Sequence, residues 1–164
     1  MEIIPLETRH VEQAAEMFCE NLRGLRADIA ALPEGLDDPT RWLPKLANRA
    51  EQGTGLAAVE EGRLLGYLSW YIVEGFRGTQ RTGAYCPEWG HGAQVENAGR
   101  IYRGLYRAAA ERWQAQRCGV HVVTLLANDN EAQTVWFCNG FGLAEVEVGV
   151  GQGGIACLAE AVSV

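Results

Sequence analysis

Lysine is almost missing from this 164-residue chain: 13 of its 14 bases are arginine. Residues 120–164 hold no base at all. No apolar run approaches the ~18 residues that span a bilayer. The N-terminus, MEIIPLETRH, lacks the basic start and apolar stretch of a secretory signal. A cytoplasmic protein with no membrane partner is therefore expected. The five cysteines, at 19, 86, 118, 138 and 157, form no C-x-x-C pair. That spacing argues against a disulfide framework or a zinc site, and leaves reduced packing cysteines and no metal as the expectation.

Bases are also outnumbered. Twenty-one acids against 14 bases give a net charge of −7, which makes nucleic acid or an anionic membrane an unsuitable main partner. The balance is uneven along the chain. Residues 1–74 carry 13 acids and 7 bases, residues 75–119 carry 3 and 7, and residues 120–164 carry 5 and none. A basic middle thus lies inside an acidic chain. With 48% hydrophobic and 21% charged residues, the composition is that of a globular protein, and the length suits one domain over 1–164.

A short strand is expected at Glu2–Leu6. From Thr8, a residue suited to an N-cap, Val11, Ala14, Ala15, Met17 and Phe18 recur at helical spacing, so a helix should run to about Leu22. Leu25–Leu36, with Pro33 and Gly35, reads as a loop or broken helix. A second helix is expected over Asp38–Glu51, capped by Asp38. Leu56–Glu60 and Leu64–Val73, joined by Glu61-Gly62-Arg63, read as a hairpin, and Arg81–Cys86 as a further strand. A long helix is expected from Ala98 to about Arg117, with Ile101, Leu105, Ala109 and Trp113 on one face and Gly119 as its stop. Val120–Leu126 reads as a strand buried on both faces. Asn130–Asn139 should be a short helix, followed by a strand at Leu143–Val148 and a weaker one at Ile155–Leu158.

The resulting order, β-α-α-β-β-β-α-β-α-β-(β), implies an α/β fold: a mixed central sheet of six or seven strands flanked by about four helices. The order and three local motifs resemble the GNAT (GCN5-related) N-acetyltransferases over nearly the whole chain. Tyr85-Cys86-Pro87-Glu88-Trp89 is similar to the family's strand-ending Val-x-Pro-Glu-Tyr segment. Gln94-Val95-Glu96-Asn97-Ala98-Gly99 is similar to the Arg/Gln-x-x-Gly-x-Gly/Ala turn that presents amides to a pyrophosphate at a helix N-terminus. Asn97 replaces the first glycine, and asparagine tolerates positive φ better than other non-glycine residues. Asn128-Asp129-Asn130-Glu131-Ala132, with Trp136-Phe137-Cys138-Asn139-Gly140-Phe141, is similar to the family's Asn-x-x-Ala…Tyr…Gly-Phe block.

The resemblance implies transfer of an acetyl group from acetyl-CoA, a co-substrate, to an amine by direct attack. It assigns CoA to Cys86, Gln94, Val95, Glu96, Asn97, Ala98, Gly99, Asn128, Asn130, Trp136 and Phe137. Arg100 and Arg103, in the first turns of the long helix, add positive charge suited to phosphates. Trp136 stands where the family often has an acid tyrosine, and an indole N–H cannot act as a general acid at neutral pH. Glu88 is the candidate general base. His91, in an apparent loop insertion Gly90–Ala93, is a second candidate base, and Tyr85, Tyr102 or Tyr106 could replace the missing acid. The acceptor is expected to be a small-molecule or peptide amine. Glu16, Glu20, Asp28, Asp37, Asp38 and Glu74, with Trp42, Trp70 and Trp89, suit a cationic one. A homodimer stays open, as does a catalytically impaired CoA-binding protein of the same fold.

Overall fold

The computed structural model describes residues 1–26, 35–126, 129–151 and 154–163, with side chains described outside 25–26, 145–151 and 154–163. In chain order they form β1 (Glu2–Pro5), α1 (Thr8–Arg26), α2 (Leu43–Glu51), β2 (Gly55–Glu60), β3 (Arg63–Ser69), β4 (Tyr71–Val73), β5 (Thr82–Cys86), β6 (His91–Ala93), α3 (Ala98–Ala115), β7 (Cys118–Leu126), α4 (Asn130–Cys138), β8 (Gly142–Gly151) and β9 (Gly154–Ser163). The expected irregular segment Leu25–Leu36 lies largely outside the described residues. The strands pair in the orders β1-β2-β3-β6 and β4-β5-β7-β9-β8. The mixed sheet with helices on both faces is therefore present, divided in two.

Side-chain alternation decides which face each helix covers. Leu56, Ala58, Leu68 and Trp70 point to one face, where Ile101, Leu105, Ala109 and Trp113 of α3 and Trp136 of α4 pack. Ala57 and Tyr67 point to the other, against Val11, Ala14, Ala15 and Phe18 of α1 and Leu46 of α2. Each fully buried aliphatic side chain contributes about 1.5–3 kcal/mol, and this two-sided burial holds the layers together.

Several expected elements differ in their ends: α1 runs on to Arg26 and the last strand to Ser163, and three further differences have clear local causes. The helix expected over Asp38–Glu51 is a 3-10 turn at Pro39–Arg41, capped by Asp38 through Thr40 N at 2.9 Å, followed by α2. Pro44 lacks an N–H and fits only the first turn of a helix, so α2 starts afresh beside it. The helix expected to stop at Gly119 stops at Ala115, and Arg117 takes the positive φ of 59°. Gly119 is instead part of β7.

The third difference creates the site. Leu64–Val73 is not one strand: it breaks at Trp70, and β3 and β4 belong to different sheets. Opposite it, Gly90–Ala93 is no loop, because His91–Ala93 pairs antiparallel with Gly66–Leu68. Between the pairs Tyr71↔Tyr85 and Leu68↔His91, two residues face five, so Cys86–Gly90 bulges. The bulge carbonyls are satisfied by Tyr67 Oη on Trp89 O at 2.9 Å and Ser69 Oγ on Gly90 O at 3.1 Å. Gly90 is needed there, since a Cβ would lie 2.8 Å from the Ser69 carbonyl oxygen. Parallel pairing of β5 with β7 ends at Cys86↔Val123, and among the described residues β6 pairs only with β3. Beyond the bulge, β6 and β7 part.

Candidate active site

His91 bridges the two parting strands. Its side chain is buried, with Nε2 3.0 Å from the Thr124 carbonyl of β7 and Nδ1 2.9 Å from the Tyr102 hydroxyl of α3. A carbonyl only accepts, so Nε2 carries the hydrogen and Nδ1 accepts from Tyr102. Thr124 Oγ1 in turn donates to Tyr85 Oη at 3.1 Å. Burial lowers the His91 pKa, only partly offset by the Thr124 bond and by Asp129, so the ring is held neutral. Burial raises the Tyr102 pKa well above its ordinary value, which keeps that hydroxyl protonated.

Tyr102 forms part of the wall of a cleft of about 480 Å³ that passes between α1, β6, α3 and α4. Ala93, Val95, Ala98 and Asp129–Ala132 line it together with Glu20 and Asn21. An adjoining cleft of about 620 Å³ shares Val95, Ala98, Asn130 and Glu131, and adds Glu96, Asn97, Gly99, Arg100, Thr134 and Val135. Between them lies the N-terminus of α3. No side chain caps it and no acid occupies its first turn, whereas Asp129 caps α4 through Ala132 N at 3.0 Å. An uncapped helix N-terminus presents amides and the positive end of the dipole to an anion.

The turn leading into α3 is not built on positive φ. Asn97 has φ −131° and Val95–Asn97 form one 3-10 turn, with Asn97 N on Gln94 O at 3.2 Å. Asparagine is accommodated because no left-handed residue is needed. At Gly99 an added Cβ would meet only Val135 Cγ2, at 3.9 Å. The bare backbone there borders open cleft, as close approach by a phosphate group requires.

Seven of the expected CoA residues, Val95, Glu96, Asn97, Ala98, Gly99, Arg100 and Asn130, line these clefts. Others lie elsewhere. Gln94 continues the β6–β3 pairing through its N–H to Leu65 O at 2.9 Å. Arg103 is exposed outside both clefts. The side chains of Cys86 and Trp136 are fully buried, so neither offers a free surface to CoA. Trp136 packs instead on Tyr102 and Phe141, at ring-centroid distances of 5.2 and 5.0 Å. Phe137 is exposed, and Asn128 lies outside the described residues. Asp129, between the two expected asparagines, lines the cleft. Its signal in the sequence was its N-cap position before Asn130.

Glu88 sits in the bulge, half-buried, and burial raises its pKa while nearby Lys45 of α2 pulls it back. Tyr85 is half-buried and stacks on Tyr71 at 6.5 Å. Burial pushes the Cys86 thiol well above its ordinary pKa, and Sγ contacts the Pro87 carbonyl at 3.6 Å, so it is no ready nucleophile. Among the described residues no group of three His, Cys, Asp or Glu side chains could hold a metal ion, and no helix is long and apolar enough to cross a membrane.

The same architecture occurs in solved structures. A ribosomal-protein-alanine N-acetyltransferase from Brucella melitensis superposes with a TM-score of 0.71 at 20% identity, covering 100% of this chain and 99% of that one. The chain has the GNAT acetyltransferase fold. The PaiA N-acetyltransferase from Thermoplasma acidophilum, solved with coenzyme A, matches with a TM-score of 0.67 at 16% identity over 97% and 96% of the two chains. An acetyltransferase from Salmonella typhimurium that modifies the N-terminal serine of ribosomal protein L7/L12 matches at 0.67 and 13% over 99% and 93%. No family model and no curated protein matches by sequence.

Proposed function

We propose that this GNAT-fold protein is an acyl-CoA-dependent N-acyltransferase that moves acetyl from acetyl-CoA to an amine. One observation carries the reading: two adjoining clefts, sharing Val95, Ala98, Asn130 and Glu131, flank the uncapped N-terminus of α3, and one of them is walled in part by Tyr102. Phosphates suit that N-terminus, with Arg100, and a thioester suits the cleft at Tyr102. The structural relatives named above are acetyltransferases, one of them with coenzyme A bound.

In this reading Glu88 takes a proton from the acceptor amine, directly or through water. Its raised pKa makes it a stronger base at neutral pH than an ordinary carboxylate. The amine nitrogen then attacks the thioester carbon; the C–N bond forms, the C–S bond breaks, and the sulfur receives a proton. With an indole at Trp136, the hydroxyl-bearing aromatic residue in the cleft wall is Tyr102, and His91 holds its hydroxyl in place. Tyr102 is thus the donor to the departing sulfur: its one hydroxyl hydrogen turns from His91 Nδ1 to the sulfur, and water returns a proton to the phenolate, which burial disfavours as a lasting species. His91 acts through Tyr102 as a positioning residue and is not the base. The buried Cys86 forms no acyl-enzyme.

Acetyl-CoA-dependent thiol release, measured across a panel of amines, tests the proposal. Release with at least one amine is expected. A second reading, a CoA-binding protein without catalysis, is favoured by the buried Trp136 in place of a hydroxyl. It predicts acetyl-CoA binding with no thiol release above the uncatalysed rate.

A further inference from the structure

The side of α2 and of the 3-10 turn before it that meets the bulge is basic. Arg41, Lys45 and Arg49 recur every four residues, and Lys45 is the only lysine of the chain. Each lies over an aromatic ring. Arg41 is 5.7 Å from the Trp42 centroid, Lys45 Nζ is 4.7 Å from Trp42 and 5.2 Å from Trp89, and Arg49 is 4.0 Å from Tyr71. The rings themselves are contiguous, with Tyr71 and Trp89 edge to face at 6.1 Å and Trp42 and Trp89 stacked at 6.4 Å. Trp89 is the residue after Glu88, so the stripe runs to the candidate base.

Arg49 is the unusual member. It is 6% exposed, yet no carboxylate pairs with it among the described residues. Its Nη1 donates to the Trp70 carbonyl at 3.3 Å and its Nη2 to Asn48 Oδ1, while Nε is buried with no partner. A buried guanidinium without a counter-ion is costly, and a flat ring beneath it offsets only part of that cost. The acids expected to recognise a cation are in part engaged elsewhere: Glu16 pairs with Arg23 at 2.7 Å, and Asp38 caps the 3-10 turn.

We infer that the acceptor is an amine carrying a carboxylate, with Arg49 and Lys45 holding that carboxylate against the Tyr71 and Trp89 rings while Glu88 meets the amine. This rests on the acetyl-transfer reading, and replaces the cationic acceptor suggested by composition with one whose second group is anionic. The guanidinium fork matches a carboxylate, and Lys45 at the exposed rim would steer it in. The carboxylate belongs either to a free amino acid or to an acidic residue next to the N-terminus of a peptide.

The test compares free amino acids with their carboxamides, and tripeptides bearing Asp at the second position with those bearing Ala, as acceptors of acetyl from acetyl-CoA. The carboxylate member of one series should win by roughly tenfold or more in kcat/KM, and which series responds identifies the source. Arg49→Met and Lys45→Met should each shrink that ratio toward one; the ratio is read within each variant, so that a change common to both acceptors, such as that from Lys45 acting on Glu88, cancels. Lys45 is exposed, so its variant remains informative if Arg49→Met fails to fold. Calorimetry with the N-acetylated forms of both series reads the same preference without turnover. Absence of thiol release from every amine would remove the acetyl-transfer reading, and the calorimetry would still decide the anion site. Equal use or equal binding of charged and neutral members, or a preference unchanged in both variants, overturns the inference.

Discussion

The hydroxyl of Tyr102 donates to Nδ1 of His91 across 2.9 Å, and the same imidazole donates from Nε2 to the Thr124 carbonyl at 3.0 Å. One side chain thereby ties α3 to β7 at the place where backbone pairing between β6 and β7 is absent. It substitutes for a ladder bond and fixes the hydroxyl of Tyr102, a residue in the cleft wall.

Replacing His91 with Leu leaves the Thr124 carbonyl without this bond and the Tyr102 hydroxyl without an acceptor. Each buried unpaired group costs about 1–3 kcal/mol, so urea unfolding at pH 8 should show a loss of at least about 2 kcal/mol. The pH dependence has a definite sign. The folded pKa of His91 lies below 6.5, so the unfolded chain takes up the proton first as pH falls. Stability is full above 6.5 and is lost as pH drops toward the folded value. His10 and His121 shift in the same direction, so the slope should shrink in His91→Leu without vanishing.

Glu88 behaves in the opposite way. Its folded pKa is raised above 4.5 by burial, so its contribution to stability is lost as pH rises from 4.5 through the folded value. Glu88→Gln should therefore melt higher than the parent protein at pH 8 and differ little at pH 4. The same variant should lose about 10²- to 10⁴-fold in kcat/KM. Unchanged turnover in Glu88→Gln would remove it as the essential base.

Tyr102→Phe keeps the ring against Trp136 and deletes only the hydroxyl. A fall in kcat on the order of 10²-fold, with little change in the KM for acetyl-CoA, is expected. Tyr106→Phe is the matched control. Its hydroxyl bonds His121 Nδ1 at 3.1 Å, and Tyr106 lines neither cleft of the candidate site. Equal effects of the two substitutions would contradict the assignment.

Gly90→Ala should destabilise the bulge by about 1–3 kcal/mol, because the new Cβ would meet the Ser69 carbonyl at 2.8 Å and Pro87 Cδ at 2.9 Å. Glu88 lies on the same bulge, so acetyl transfer should fall as well. Thermal unfolding and steady-state rates on one preparation check both effects.

Local patterns in the sequence were enough to find α3, since Ile101, Leu105, Ala109 and Trp113 lie four apart and all are buried. The same holds for α4 and for the β2–β3 hairpin. The split at Trp70 and the strand at His91 were hidden because both depend on pairing between distant segments. Gly90-His91-Gly92-Ala93 looks like a loop until Gly66–Leu68 is placed beside it. Asn97 was expected to need positive φ, but a 3-10 turn removed that demand. The spacing of Arg41, Lys45 and Arg49 is visible in the sequence, yet the rings of Tyr71 and Trp89 reach it only through the fold.

Whether the cleft from α3 to Tyr102 takes acetyl-CoA is tested most directly by equilibrium unfolding with and without that compound. At micromolar affinity and a hundredfold excess over Kd, the folded state should gain about 2.7 kcal/mol. Denaturation unmoved by millimolar acetyl-CoA would contradict both the acyltransferase and the CoA-binding readings.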